Sequence, residues 1–373
     1  MNFAFSEEQE ELRRLTRKWL EEKSPSQVVR RLMESEEGFD PALWKEAAAL
    51  GWQAMAIPEE YGGAGFGFLE QTVLLEEMGR TLHPSPYLAT AVIAANMLLA
   101  AGNEDQKQKY LPSLAAGDLT ASLAFTEPNG LWEEAGIEAT AIKTGTGHVL
   151  SGTKSFVLDG HTAGLLIVAA RTVDGVGLFI VDGSSPGLTR RRLETMDMTR
   201  KLAEVVLDNV AVDAEAALGP PGTGWTTIER ILAKAVVALA AEQVGGAQKC
   251  LDMSVEYAKV RHQFGRPIGS FQAIKHKCAD MLVQVESARS AAYYAAWAAA
   301  EDNDELPLVA PLAKSYCSEA FFFCAAENIQ VHGGIGFTWE HDAHLYFKRA
   351  KSSELLFGEP AHHRAVLAAR LGL

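Results

Sequence analysis

Apolar positions near the start of the chain recur with a helical period. Leu12, Leu15, Trp19 and Leu20 fall on one stripe behind Ser6-Glu7-Glu8-Gln9, which fits a capping box, so a helix is predicted there. Asp40-Pro41 predicts a second start, with proline at the first helical position, and Gly51 its end. Asn103-Glu104-Asp105-Gln106 repeats the capping pattern ahead of Tyr110 and Leu111. Around Ser122 the period changes. Short runs with β-branched residues, at 137–143, 148–158, 165–171, 177–181 and 202–210, alternate with Gly and Asp and predict strands. Gly219-Pro220-Pro221-Gly222 breaks this pattern as a hinge or linker. From Trp225 the chain turns helical and Ala-rich, and Ala235, Ala238, Gly245 and Gly246 are small enough for neighbouring backbones to approach closely. The order helical, β, helical predicts an α+β fold, mainly α. An N-terminal helical domain is expected at 1–120, a middle antiparallel β-barrel or sandwich at 121–218, and a C-terminal helical domain at 222–373.

A length of 373 residues agrees with two or three domains. Apolar residues at 48% and charged residues at 22% are an ordinary globular mixture, able to build a core. The net charge of −14 argues against nucleic acid, which needs a local excess of Lys and Arg. It leaves room for an anionic small molecule, since one Arg in a cleft can bind that. Met1–Phe5 followed by the acidic Glu7 lacks a charged region leading into an apolar one, so no targeting segment is expected. The most apolar stretch, 231–244, carries Lys234 and Glu242 and is too short to span a bilayer, so a cytoplasmic protein with no membrane contact is expected. Cys250, Cys278, Cys317 and Cys324 contain no CxxC pair and read as buried reduced thiols. His341 and His344 lie three apart, but no Cys or carboxylate set completes a metal geometry, so no metal is assigned.

Three glycine-bearing segments are candidates for chemistry. Gly62-Gly63-Ala64-Gly65-Phe66-Gly67 follows Pro58-Glu59-Glu60 and no strand, so it reads as a flexible loop between helices and not as a dinucleotide fingerprint. In Arg261-His262-Gln263-Phe264-Gly265, Gly265 could cap a helix with Arg261 near its negative end and Pro267 beyond. That account leaves Gln263 and Phe264 unexplained; the alternative is an Arg fork and amide on a pyrophosphate, with a Phe packed on a ring. In Gln330-Val331-His332-Gly333-Gly334-Ile335-Gly336 the glycines permit either a tight helix-ending turn or close backbone contact with a ligand.

Taken in order, Pro58-Glu59-Glu60-Tyr61-Gly62-Gly63, Ala124-Phe125-Thr126-Glu127-Pro128, Arg261–Gly265 with Phe271-Gln272 and Ala279-Asp280-Met281, and Gln330–Gly334 resemble the acyl-CoA dehydrogenase family along nearly the whole chain. The resemblance implies an α-helical domain, a β domain and a C-terminal four-helix bundle, assembled as a tetramer of two dimers. It implies FAD-dependent α,β-dehydrogenation of an acyl-CoA, in fatty acid or steroid degradation, with electron-transfer flavoprotein as electron acceptor. It also implies FAD bound across a subunit interface, with Arg261, Gln263, Phe264, Gln330, Gly333 and Gly334 matching the half that takes the pyrophosphate and adenosine of a neighbour's FAD. Thr126 matches the flavin-facing half.

That flavin-facing half departs from the family. Asn129-Gly130-Leu131-Trp132 replaces a Gly- and Ser-containing turn, and a flavin-facing Trp and Thr align with Phe156 and Leu158, the latter unable to donate a hydrogen bond. The general base is absent from both usual places, which hold Phe357 and Ala235. Glu242, further along the same helix as Ala235, is the remaining candidate base. A structural carboxylate paired across an interface is its other reading. Glu340 and Asp342 lie in a charged loop. The resulting expectation is a subunit of a heterotetramer that completes the FAD site in trans for a paralogous chain carrying the base. The rivals are a self-sufficient homotetramer using Glu242, a non-catalytic structural or regulatory relative, and an oxidase or hydroxylase sharing the fold.

Overall fold

The computed structural model describes residues 6–373, so the segment Met1–Phe5, where no targeting signal is expected, lies outside the described residues. The first helices are α1 (Glu7–Lys23), α2 (Ser26–Glu34), α3 (Pro41–Ala49), α4 (Phe68–Thr81), α5 (Ala95–Ala101) and α6 (Glu104–Ala115), with a π-helical turn at Leu88–Ala94. The strands are β1 (Ala121–Ala124), β2 (Thr140–Lys143), β3 (Gly147–Leu158), β4 (Leu165–Thr172), β5 (Gly175–Asp182), β6 (Leu188–Arg192), β7 (Leu202–Asp213) and β8 (Ala217–Leu218). Then come α7 (Gly224–Val260), a hairpin of β9 (His262–Gln263) and β10 (Arg266–Pro267), α8 (Gln272–Ala300), α9 (Leu306–His332), α10 (Ala343–Leu355) and α11 (Pro360–Arg370). Both predicted capping boxes form: Ser6 with Gln9, and Asn103 with Gln106, exchange side-chain and backbone hydrogen bonds. Asp40 accepts from the Ala42 N–H at the start of α3.

Two compact units do not follow chain order. One comprises the chain up to Arg31, Phe68–His83 and Val236–Leu373; the other comprises Leu32–Gly67 and Pro84–Ala235. The second unit contains the sheet, ordered β6-β7-β3-β2-β4-β5-β8, with β1 also paired to β4. It is mixed, where the strand spacing predicts an antiparallel sheet: β1 and β2 both pair with β4 in parallel. The reason is the course of the chain. Because β3 reverses direction after β2, the β4 that follows it runs with β2. Among the described residues the ladder is an open path. Its core holds Leu150, Leu166, Val168, Phe179 and Val205, all buried. Strand β6 has three arginines and no apolar alternation, and as an edge strand it needs none.

In the first unit, the predicted stripe of α1 is rotated. Leu15 is exposed while Thr16 and Leu20 are buried, and Arg13 and Arg17, partly buried, reach Glu76 and Glu77 on α4. Helices α4 and α7 touch backbone to backbone. A methyl group at Gly79 would overlap the Glu242 carbonyl oxygen, and one at Gly245 would overlap that of Glu76. On the other side of α7, a methyl at Gly246 would overlap the ring of Phe321 on α9. The small residues noted in the sequence are therefore packing sites within the chain. Among the described residues no helix is long and apolar enough to cross a membrane.

Gly245→Ala is expected to force α4 away from α7 and cost about 1–3 kcal/mol, the usual range for overpacking. Gly145→Ala, where the added methyl meets no atom within 4 Å, should stay within about 0.5 kcal/mol of the parent. Denaturant midpoints of the two variants, read side by side, check the difference.

Candidate functional site

Helix α7 ends at Val260, and the Arg261 N–H still bonds the Tyr257 carbonyl at 2.9 Å. The chain then makes a hairpin, Gln263 pairing with Arg266 across the turn Phe264-Gly265. Both turn residues have positive φ, 54° and 76°, as a tight two-residue hairpin demands. Gly265 is thus a turn residue and not the cap of α7. For Phe264 the left-handed backbone costs about 1 kcal/mol, and its side chain is 91% exposed. It stands edge-on to Phe271, whose other neighbour is the Arg266 guanidinium, 4.2 Å from the ring centre. Arg261 and Gln263 are exposed too, and among the described residues no carboxylate pairs with Arg261. An unpaired guanidinium, an amide and a strained, uncovered aromatic on one hairpin suit a ligand with an anionic group and a flat ring.

Helix α9 ends beside it. Gln330, Gly333 and Gly334 are exposed, Gly333 has φ 66°, and a Cβ on either glycine would meet only open space. His332 just before them is buried, with Nδ1 2.8 Å from the Asn328 carbonyl oxygen. Its ring stacks on Tyr257 of α7 at 4.3 Å, so the two helix ends meet. Burial holds the pKa of His332 below the ordinary imidazole value. The arrangement offers the unpaired Arg261 guanidinium beside the open glycine backbone at the end of α9, and these residues fit a pyrophosphate.

Thr126 belongs to the unit that holds the sheet. It is buried, its hydroxyl donating to the Ser155 carbonyl while the Ser155 N–H returns a bond to the Thr126 carbonyl. Beside it, Lys154 is fully buried and donates to Glu127 at 2.5 Å, and burial depresses the lysine pKa despite that partner. The register of β3 against β7 shifts between Lys154 and Val157. Phe156, inside the shift, has φ 57° and is half exposed, whereas Leu158 is buried. An aromatic face is therefore presented here, without the hydroxyl that a Thr at 158 would supply.

The candidate base lies elsewhere, among the helices. Glu242 is buried and accepts from Arg349 of α10 at 2.7 Å, so its partner lies within the same chain. Ala235 is fully buried. Phe357 is buried with φ 60°, and the turn around it is tied from both sides. His363 of α11 lies 3.0 Å from the Phe357 carbonyl oxygen, and Lys314 of α9, fully buried, donates to the carbonyls of Glu354 and Gly358. Asp342 is bound by Arg30 and Ser26, and Glu340 is exposed. Sequence reasoning missed Arg349, Lys314 and His363. The one available signal was Lys314 within a helix of mostly apolar or small residues; Arg349, flanked by Lys348 and Lys351, gives none. Of the four cysteines three are buried and Cys278 partly so, none is in a disulfide, and burial raises the Cys317 and Cys324 thiols to about 12. Among the described residues no His, Cys, Asp or Glu cluster could hold a metal.

Family models for the N-terminal, middle and C-terminal domains of acyl-CoA dehydrogenase match residues 6–118, 122–210 and 222–372. The chain is 37% identical over 358 residues to the acyl-CoA dehydrogenase IpdE2 of Mycolicibacterium smegmatis, covering 95% of this chain and 96% of that one. Its structure is similar to butyryl-CoA dehydrogenase from Megasphaera elsdenii, with a TM-score of 0.94 and 30% identity over the full length of both chains. It is also similar to a chain of the ChsE4-ChsE5 complex from Mycobacterium tuberculosis, with a TM-score of 0.92 and 31% identity, covering 100% of this chain and 99% of that one.

The Phe357 turn carries a pH dependence. Burial first, then the Lys314 charge, lowers the His363 pKa to about 3. The unfolded chain takes up this proton near pH 6.5 while the folded chain refuses it, so stability falls as pH drops from about 6.5 towards 3, at about 1.4 kcal/mol per pH unit. His363→Gln should remove one proton's worth of that slope between pH 6 and 4 in denaturant titrations. An unchanged slope would place the titrating group elsewhere.

Proposed function

The chain belongs to the acyl-CoA dehydrogenase family, and from that premise we propose that it is the subunit of a two-chain dehydrogenase that completes a partner's FAD site in trans. The reaction introduces a Cα–Cβ double bond into an acyl-CoA thioester. FAD, when bound, supplies the acceptor for the hydride leaving the β-carbon. In this reading Arg261 neutralises the pyrophosphate, Gln263 bonds its oxygens, the side-chain-free backbone at Gly333 and Gly334 lets it approach closely, and Phe264 packs on the adenosine. Gln330 orients the end of α9. Thr126 and Phe156 mark the chain's own flavin-facing side, where Leu158 leaves one hydrogen bond unmade.

The observation that carries the proposal is the state of the carboxylate. A general base must present a free lone pair to the α-proton and gains from a raised pKa. Glu242 instead accepts from the Arg349 guanidinium at 2.7 Å, both groups buried, so its carboxylate is already engaged by a charged partner. With Ala235 and Phe357 at the family's base positions, the α-proton is left to the partner chain. The ChsE4-ChsE5 complex, one chain of which matches this fold, is a precedent for pairing such a chain with a differently named partner. Electron-transfer flavoprotein is the proposed electron acceptor and a tetramer the proposed assembly.

Purified alone, the chain should hold FAD well below one per subunit and leave acyl-CoA unchanged, and co-expression with its partner should restore both. Stoichiometric FAD with turnover by the lone chain would sink the proposal and favour the homotetramer. In the working complex Glu242→Gln should leave kcat within about twofold while costing about 3 kcal/mol of stability, because the buried Arg349 loses this counter-charge. Loss of turnover in a folded Glu242→Gln complex would return Glu242 to the chemistry. Arg261→Ala should weaken FAD binding by about 100-fold, the equivalent of one charge-assisted contact of about 3 kcal/mol.

A further inference from the structure

The two segments read as holding the phosphate end of FAD lie at the ends of different helices, and something must fix their register. Between α7 and α9 there are two successive rungs. In the first, the Ser254 hydroxyl lies 2.9 Å from the Cys250 carbonyl and 3.0 Å from Asn328 Oδ1, its one proton shared between the two acceptors, and both Ser254 and Asn328 are fully buried. One turn further on, Tyr257 and His332 stack, ring centroids 4.3 Å apart and planes 29° from parallel. The rungs share a partner, since the Asn328 carbonyl takes the contact from His332 Nδ1. A third ring, His341, lies 4.3 Å from His332 and closes the stack on the side of the loop before α10.

Beyond the second rung both helices stop. Tyr257 is bonded through its carbonyl to the Arg261 N–H, the first residue of the hairpin. His332 is covalently joined to Gly333, where φ becomes positive and helix α9 ends. The backbone that aims Arg261 and the backbone that aims Gly333-Gly334 are therefore each one step from this ring pair. Neither ring belongs to the groups assigned to FAD itself.

We infer that Tyr257 and His332 are positioning residues that set the distance between the Arg261 hairpin and the Gly333-Gly334 turn, so that one pyrophosphate can be held by both. This rests on the trans reading given above. Aromatic faces in contact fix separation and tilt in a way that a mobile aliphatic contact does not. The first rung supplies stability between the helices but touches neither binding segment.

The test uses the complete two-chain complex, with FAD as the probe. Its dissociation constant is measured by flavin fluorescence and the FAD-free melting temperature by circular dichroism. Tyr257→Leu should raise the FAD dissociation constant about tenfold, whereas Tyr257→Phe, which keeps the ring, should restore parental binding. Ser254→Ala should lower the melting temperature at least as far as Tyr257→Leu while leaving FAD affinity within about twofold. If Ser254→Ala weakens FAD as much as Tyr257→Leu, or if Tyr257→Phe fails to rescue, ring stacking is not the positioning element and the inference falls. Arg261→Ala separates the two levels. Weak FAD binding in Arg261→Ala with unaltered binding in Tyr257→Leu overturns the inference alone. Unaltered binding in Arg261→Ala overturns the reading beneath it.

Discussion

The crossing of α4 and α7 is the constraint from which most of the helical unit follows. Gly79 and Gly245 carry no side chain because each lies against a carbonyl oxygen of the opposite helix. Such close approach buries the α4 residues beside the crossing, and these include Glu76 and Glu77, both almost inaccessible. A buried carboxylate without a counter-charge is costly, so the neighbouring elements must supply cations. Arg13 and Arg289, with Tyr293, surround Glu76; Arg17 and Arg80 take Glu77; Arg349 takes Glu242. Five arginines from α1, α4, α8 and α10 are thereby given fixed positions, and the helices carrying them are drawn onto the α4–α7 pair.

This explains which parts of the fold were legible in the sequence. Helix starts were, because a cap is a local event: Ser6, Asp40 and Asn103 each satisfy N–H groups within three residues. The strands with alternating or fully apolar content were legible too. The face of α1 was not, since hydrophobic period cannot register arginines turned inward for their charge, and Arg13 and Arg17 reach Glu76 and Glu77 while Leu15 is left exposed. The direction of β4 was lost for another reason. It depends on a reversal at β3 and on pairing between residues far apart in the chain, which no window of sequence contains. Likewise, the interleaving of the two compact units follows from long-range packing and leaves no local signature.

The site divides in the same way. Residues that act through exposure and backbone geometry, such as Arg261, Phe264, Gly333 and Gly334, could be picked out from composition and order, and they lie at two adjoining helix ends. Glu242 could be noticed but not interpreted. Its meaning depends on Arg349, more than a hundred residues later, and only the fold brings the two together. The turn at Phe357 shows the same dependence. Its left-handed backbone is sustained by a buried lysine on α9 and a neutral histidine on α11, neither of which the local sequence points to.

On the proposed reading, an Arg-paired Glu242 and a closed Phe357 turn are what a subunit relieved of proton abstraction can tolerate. In a dry site a base must be kept unpaired at some cost to stability, because desolvation without a partner is what raises its pKa. Once another chain carries that burden, the same interior can be occupied by matched charge and packed aromatic surface, both of which stabilise the helices. The phosphate-binding ends cannot be filled in this way. On the same reading a pyrophosphate enters from outside, so Arg261 stays unpaired and Phe264 uncovered, at the cost of a strained backbone and an exposed ring. Strain kept at one end of α7 and neutralised charge along its middle therefore express a single division of labour. If the trans reading holds, the helix keeps what a neighbour's cofactor needs and has closed what its own chemistry would have needed.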